Sequence, residues 1–245
     1  MYKHTNAASR IHALLSSALQ QPEQAMYLVL ASVFEVKGTD ETQTAELVLA
    51  RLHWFYAELD LLEAQARASS ISSHLYERAF ARVRMATSPL NLPAGWQGVR
   101  GNLTPDVLLA LAFLNELLPD EESLIAVDEL QAIAKDVAEL QELLSRSTLP
   151  ESLRRLIEHH VQLILLALAQ YPFQGARALR EVARTAVGEI IEAKGAIVVP
   201  QNAEEVSRLE RLWKRVNTAA DIALKAEKIG QLAQKAIDAL QSLAQ

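Results

Sequence analysis

Eight prolines divide this chain, and they lie between segments in which apolar side chains recur three and four residues apart. Proline lacks a backbone N–H and clashes with the preceding helical turn, so prolines typically lie at helix ends. Three-and-four spacing places side chains on one face of a helix, whereas a half-buried strand alternates with period two. No long segment shows that alternation. We expect an all-α protein, an irregular multi-helix bundle with a long C-terminal amphipathic helix.

Local signals predict where several helices begin. Asp40 is expected to cap a long helix, because its side chain accepts a hydrogen bond from the first turn. Thr104 and Pro105 are also expected to begin a helix, with Thr104 as the capping residue and Pro105 at the first helical position. Pro150 and Pro172 are each expected to open a further helix. No proline is expected inside a helix.

Residues 86–102 form the longest segment without helical periodicity. They contain two prolines, three glycines and Trp96, a composition typical of an ordered or mobile loop. Trp96 has two interpretations. Its ring either pins the loop to the core or offers an aromatic anchor to a protein partner.

The C-terminal segment has the most regular pattern in the chain. Seven apolar residues follow alternating spacings of four and three, as in the seam of a coiled coil: Ile222, Ala226, Ile229, Ala233, Ala236, Leu240 and Leu243. We expect this seam to bind a protein partner or a second copy of the chain. Four residues before the seam are expected to dock the first half of the helix on the bundle: Leu209, Leu212, Trp213 and Val216. The predicted domains are a helical bundle over 1–195 and the C-terminal helix over 203–245.

Composition excludes several classes of protein. Cysteine is absent, which removes disulfides, thiolate metal sites and thiol nucleophiles. The formal charge of −6 argues against binding nucleic acid through bulk charge. A local basic cluster lies before the seam at Arg208, Arg211, Lys214 and Arg215, where acidic neighbours favour charge pairing. The chain has no apolar run of the roughly 20 residues that span a membrane, and no signal-peptide pattern opens it, so we expect a cytoplasmic protein.

Motifs for cofactors and metals are missing. No phosphate-binding glycine loop, dinucleotide fingerprint or nucleophile elbow is present. His159 and His160 are adjacent, and adjacent side chains on a helix point about 100° apart, so the two cannot share one ion by themselves. Two carboxylate pairs have helical spacing, Glu189 with Glu192 and Asp60 with Glu63, but neither has the histidine that helical di-metal sites add. We predict no cofactor and no bound metal.

Four residues are candidates for catalysis: Arg154, Arg155, His159 and His160. Each arginine is followed five positions later by a histidine. This spacing resembles the active motif of helical HEPN-type ribonucleases, and the resemblance covers these residues alone. It implies that a histidine acts in acid–base chemistry on the ribose 2′-hydroxyl while an arginine stabilises phosphate. The alternative interpretation is a set of exposed polar residues at the front of a helix that becomes apolar after Val161.

Three function classes follow from these observations. The first is a non-enzymatic interaction or regulatory protein, such as a bacterial immunity, antitoxin or defence-accessory factor, that works through its C-terminal helix. The second is a HEPN-like ribonuclease. The third is a membrane-active protein whose C-terminal helix inserts into a bilayer, although no aromatic residue follows Trp213 to anchor it. We favour the first class.

Overall fold

The computed structural model of the protein describes residues 5–193 and 204–224, with the side chains of 5–190 and 204–224. Within these ranges the chain forms ten α-helices and no strand, which confirms the all-α, multi-helix prediction. The chain divides into two compact units, Met1–Glu121 and Glu122–Gln245. We call them the N-terminal unit and the C-terminal unit, and each is described by itself.

The N-terminal unit contains the first six helices. They are α1 Ala7–Leu19, α2 Met26–Val33, α3 Glu41–Ala68, α4 Glu77–Ala86, α5 Trp96–Arg100 and α6 Pro105–Leu117. α1 packs on α2, α3 and α6, and α4 packs on α5 and α6. Asp40 caps α3 as expected, since its Oδ1 accepts the Gln43 N–H at 2.8 Å. α6 begins at Pro105 as expected, but the Thr104 side chain makes no capping hydrogen bond.

The segment 86–102 is ordered and partly helical. It contains a 3₁₀ turn at Pro89–Asn91 and the five-residue α5. The Met26 N–H donates to the Ala94 carbonyl at 2.8 Å, so the segment is fixed against the start of α2. The expectation of a loop without helix is wrong for α5.

Trp96 is a core residue of the N-terminal unit. Its side chain is 1% exposed, and its backbone N–H donates to the Gln24 carbonyl at 2.9 Å. The indole therefore pins the segment, which is the first of its two interpretations. The prediction of Trp96 as a partner anchor is wrong, because the ring has no surface to offer a partner.

A buried ionic cluster joins α1, α3 and the end of the N-terminal unit. Arg10 Nε donates to Glu58 Oε1 at 2.9 Å, and the Arg10 guanidinium also binds Glu121. Glu58 is 0% exposed and Arg10 is 7% exposed. Desolvation alone would raise the pKa of Glu121, but attraction to Arg10 and hydrogen bonds from Gln65 and Arg10 outweigh it and hold that pKa below its ordinary value.

The described part of the C-terminal unit contains four helices. They are α7 Val127–Ser145, α8 Glu151–Gln174, α9 Ala176–Ala193 and α10 Glu204–Leu224. Each helix packs on the next, and α10 packs back on α7, so the four surround one core. Aliphatic side chains from all four helices and the indole of Trp213 fill that core. This is the packing of a four-helix bundle.

The junction between α8 and α9 differs from the prediction. Pro172 lies inside α8 near its end and does not open a new helix. The break comes at Gly175, which has φ +61° and ψ −152°, a backbone conformation that is essentially restricted to glycine. The buried carboxylate of Glu122 occupies the space beside this glycine and accepts the Ala176 N–H at the start of α9.

The observed division of the chain falls at residues 121 and 122. The division expected from the sequence falls between 195 and 203, a segment that lies outside the described residues. α10 shares one core with α7, α8 and α9. The described part of the C-terminal helix is therefore an integral member of the C-terminal unit.

Candidate functional site

α10 presents two chemically different faces. The inner face is apolar and buried, with Val206, Leu209, Leu212, Trp213, Val216, Ala219, Ala220 and Ala223. The four residues expected to dock this helix are among them and are at most 2% exposed. That prediction is confirmed.

We call the opposite side the outer face of α10. It consists of Arg208, Arg211, Arg215, Thr218 and Ile222. At about 100° per residue these positions lie within an arc of about 80°. Ile222 is 71% exposed, although Ala223 beside it is 1% exposed. The outer face thus changes from basic to apolar toward the C-terminal end of the helix.

A groove of about 640 Å³ lies between the outer face and α7. Three carboxylates line its α7 side, Glu129, Asp136 and Glu139. Arg215 lies 2.5 Å from Asp136 and 3.2 Å from Glu129, and Arg208 lies 3.2 Å from Glu139. These ion pairs run in opposite order along the two helices, so α7 and α10 are antiparallel.

Two cations of the groove have no such partner. Arg211 and Lys214 line it and are exposed. Within the part of the chain that the structure describes, neither side chain makes a hydrogen bond or an ion pair, whereas Arg208 and Arg215 engage all three groove carboxylates. The residues that line the groove thus carry four positive and three negative charges, and Arg208 also pairs with Glu204, so the charges are close to balanced.

The predicted seam overlaps the described structure at one residue only. Ile222 is that residue, and it faces outward. The other six lie outside the described residues: Ala226, Ile229, Ala233, Ala236, Leu240 and Leu243.

The four candidate catalytic residues lie along α8 and do not converge. Arg155 binds Glu151, and Arg154 Nε lies 3.8 Å from Glu158. His159 Nε2 lies 3.0 Å from Glu189 of α9. None of the described contacts joins either arginine to either histidine. His160 is 0% exposed and so has no surface on which to contact an RNA ribose.

His160 is enclosed in the core of the C-terminal unit. Its ring meets the Trp213 indole edge-on, with 5.8 Å between the ring centroids. Neither ring nitrogen has a hydrogen-bond partner among the described residues, and Nε2 lies 3.8 Å from Glu189 Oε2. Burial lowers the pKa of His160 to about 4, because desolvation of the imidazolium outweighs attraction to Glu189. At neutral pH the ring is an uncharged core aromatic.

We expect His160 to make the C-terminal unit sensitive to acid. Between its ordinary pKa of 6.5 and about 4, the unfolded chain binds a proton at this ring that the folded chain does not. The contribution to the free energy of unfolding is fully present above 6.5 and falls by about 3 kcal/mol as the pH drops to about 4. His160→Phe removes this dependence, because phenylalanine has no charged form.

Urea denaturation of wild type and His160→Phe between about pH 7 and about pH 4 measures the effect. The matched control is His159→Gln, which changes the exposed neighbour and should keep the wild-type dependence on pH. Parallel curves for wild type and His160→Phe would contradict this expectation.

The part of the chain with described side chains contains no group of three or more His, Cys, Asp or Glu placed to hold a metal ion. Asp60 and Glu63 instead bind Arg84, at 2.6 Å and 2.9 Å. No described helix is both long and apolar enough to cross a membrane.

The basic residues of the groove could be recognised from the sequence, but their acidic partners on α7 could not. The carboxylates of α7 precede Arg208 and Arg215 by about seventy to ninety residues, and nothing in their local sequence indicates the pairing. The burial of His160 did have a signal in the sequence, namely its position in a helical apolar stripe. It occupies the four-and-three stripe of Leu153, Ile157, Ile164 and Ala167, all of which are buried.

No protein-family model, curated protein or solved structure matches this chain.

Proposed function

We propose that this chain is a non-enzymatic interaction module that binds a helix of a partner protein along the outer face of α10. The exposure of Ile222 carries the proposal. A single exposed aliphatic residue is ordinary on a protein surface, so its meaning depends on what surrounds it. Here it continues a helical face that lines a groove, and the sequence extends the same apolar spacing beyond it.

The apolar pattern changes faces at the end of α10. The buried stripe includes Trp213, Val216, Ala220 and Ala223, and the same spacing continued along the sequence reaches Glu227 and Gly230, which are not large apolar residues. The spacing that begins at Ile222 instead continues through the predicted seam. A sequence whose apolar spacing leaves the register of its own buried stripe is typical of a surface that packs on another chain.

The composition of the seam favours a partner groove over a weak self-paired coil. Alanine occupies three of its seven positions: Ala226, Ala233 and Ala236. Small side chains allow close approach but bury little area, and burial contributes only about 25 cal/mol per Å². A partner that supplies the larger side chains would provide the missing area. Immunity proteins, antitoxins and defence-accessory factors act by such binding without catalysis, and we propose a role of this kind.

Substitution of Ile222 by Asp tests the proposed function. We expect affinity for the partner to fall by about tenfold or more, because an interface then loses an aliphatic contact and must bury a carboxylate. The full chain is used to capture proteins from its native host, and their affinities for wild type and Ile222→Asp are then compared. Leu75→Asp is the matched control, since Leu75 is 55% exposed and lies in the N-terminal unit. Equal affinity of wild type and Ile222→Asp for every captured protein would reject the proposal.

A further inference from the structure

His160 is the one ionisable side chain with 0% exposure among the described residues of the C-terminal unit. Both of its ring nitrogens are buried without a hydrogen-bond partner there. A buried cation needs a counter-charge or hydrogen bonds in place of the water it has lost. The closed unit provides the protonated ring with neither at close range, so acid favours any conformation in which His160 meets water.

Few charges surround the ring of His160. From α9 it faces Glu189, whose Oε2 lies 3.8 Å from His160 Nε2, beyond hydrogen-bond distance. The same oxygen lies 3.0 Å from Nε2 of His159, the neighbouring residue on α8. α10 contributes the uncharged indole of Trp213, and α7 places none of its described charges against the ring. Glu189 is therefore already engaged by His159 and offsets only part of the cost of a charge on His160.

Of the two helices that contact His160, α9 is fastened to α8 near both of its ends. Gly175 alone separates the two helices in the chain, and Glu122 accepts the N–H of Ala176 at this junction. Near the other end of α9, the pair of His159 and Glu189 joins the same two helices. Separation of α9 from α8 would break all of these contacts.

α10 is held to the other helices mainly by its apolar face. Its ion pairs with α7 are made by Arg208 and Arg215, are accessible to water and contribute at most about 1 kcal/mol each. The indole N–H of Trp213 is buried without a partner among the described residues, so water can bind it once the helix leaves. We propose that protonation of His160 releases α10 from the C-terminal unit while α8 and α9 stay packed together. This inference goes beyond the proposed function and does not depend on it.

The size of the effect follows from proton linkage. Above its ordinary pKa of 6.5 the ring of His160 is neutral in the closed and the open unit, and opening does not depend on it. Between 6.5 and the pKa of about 4 in the closed unit, only the open unit binds the proton. Opening then becomes about tenfold more favourable for each unit of pH, which amounts to about 30-fold between about pH 7.5 and about pH 5.

Hydrogen exchange of the full chain, followed by mass spectrometry across this pH range, tests the proposal. After correction for the intrinsic exchange rate, the most protected amides of each helix report how often that helix opens. We expect the protection of α10 to fall about 30-fold from about pH 7.5 to about pH 5. The protection of α8 and α9 should fall in parallel, because complete unfolding also exposes His160, but it should stay at least about tenfold higher than that of α10 at each pH.

Three variants identify the titrating group. His160→Phe should remove the pH dependence from α10, and His160→Leu provides the same test with a smaller neutral side chain if phenylalanine does not fit the core. His159→Gln keeps His160 and should retain the dependence. Equal protection of α8, α9 and α10 would mean that the unit opens as a whole and would overturn the proposal. A flat profile in wild type, or an unchanged profile in both neutral variants at position 160, would overturn it as well. No partner is used, so these outcomes leave the proposed function standing.

Discussion

Arg10→Met is expected to lower the free energy of unfolding of the N-terminal unit by about 3 to 5 kcal/mol. The substitution keeps most of the side-chain volume and removes the cation that binds Glu58 and Glu121. Glu58 is fully buried, so its charge cannot be solvated by water instead. Removing one partner of a buried ion pair therefore costs much more than the pair contributes net. Urea denaturation followed by circular dichroism measures the loss.

Two variants separate this mechanism from a general loss of packing. Arg67→Met removes an exposed arginine that pairs with Glu63 in α3, and we expect a change within about 0.5 kcal/mol. Arg10→Met combined with Glu58→Leu and Glu121→Gln removes the buried charges together and should recover a large part of the stability. A loss below about 1 kcal/mol for Arg10→Met alone would show that the cluster is solvated and that the ionic account is wrong.

Gly175→Ala is expected to destabilise the C-terminal unit by about 3 kcal/mol or more. An added Cβ would lie 1.6 Å from Glu122 Oε1, so the carboxylate must move and release the Ala176 N–H. The backbone at this position, with positive φ and ψ near −152°, is itself strained for alanine. Both destabilising effects arise at Gly175, the single residue between α8 and α9.

Gly188→Ala is the matched control for this prediction. Gly188 lies inside α9, and an added Cβ there meets no atom within 4 Å. Because glycine weakens a helix interior relative to alanine, we expect a gain of about 0.5 to 1 kcal/mol. The two free energies of unfolding, measured by urea denaturation, should change in opposite directions. If both substitutions changed stability equally, the role of Glu122 and the backbone of Gly175 would be refuted.

Helices that begin at local chemical signals could be predicted from the sequence. Asp40 caps α3 and Pro105 opens α6 because the residues that decide these boundaries are within one turn of them. The end of α8 could not be predicted in this way. A proline three residues from the end of a long helix can be accommodated there, and the break at Gly175 is coupled to Glu122, which lies 53 positions earlier in the chain.

The candidate site shows the same difference between features with a local sequence signal and features that depend on helix packing. The basic cluster and the exposed position of Ile222 have signals within α10 itself. The acidic side of the groove depends on which helix packs beside α10, and helical periodicity does not identify neighbours. His160 is an intermediate case. Its place in a buried stripe can be read from spacing alone, but its contact with Trp213 depends on the packing of α8 against α10.

The Ser123 N–H donates to the Ala223 carbonyl at 2.6 Å, so the start of the C-terminal unit is tied to the end of the described part of α10. Because α7 and α10 are antiparallel, a pull between residues 122 and 224 would load this hydrogen bond and the neighbouring turns of both helices first. We expect the contacts between α7 and α10 to separate one after another from that end under tension, rather than all together.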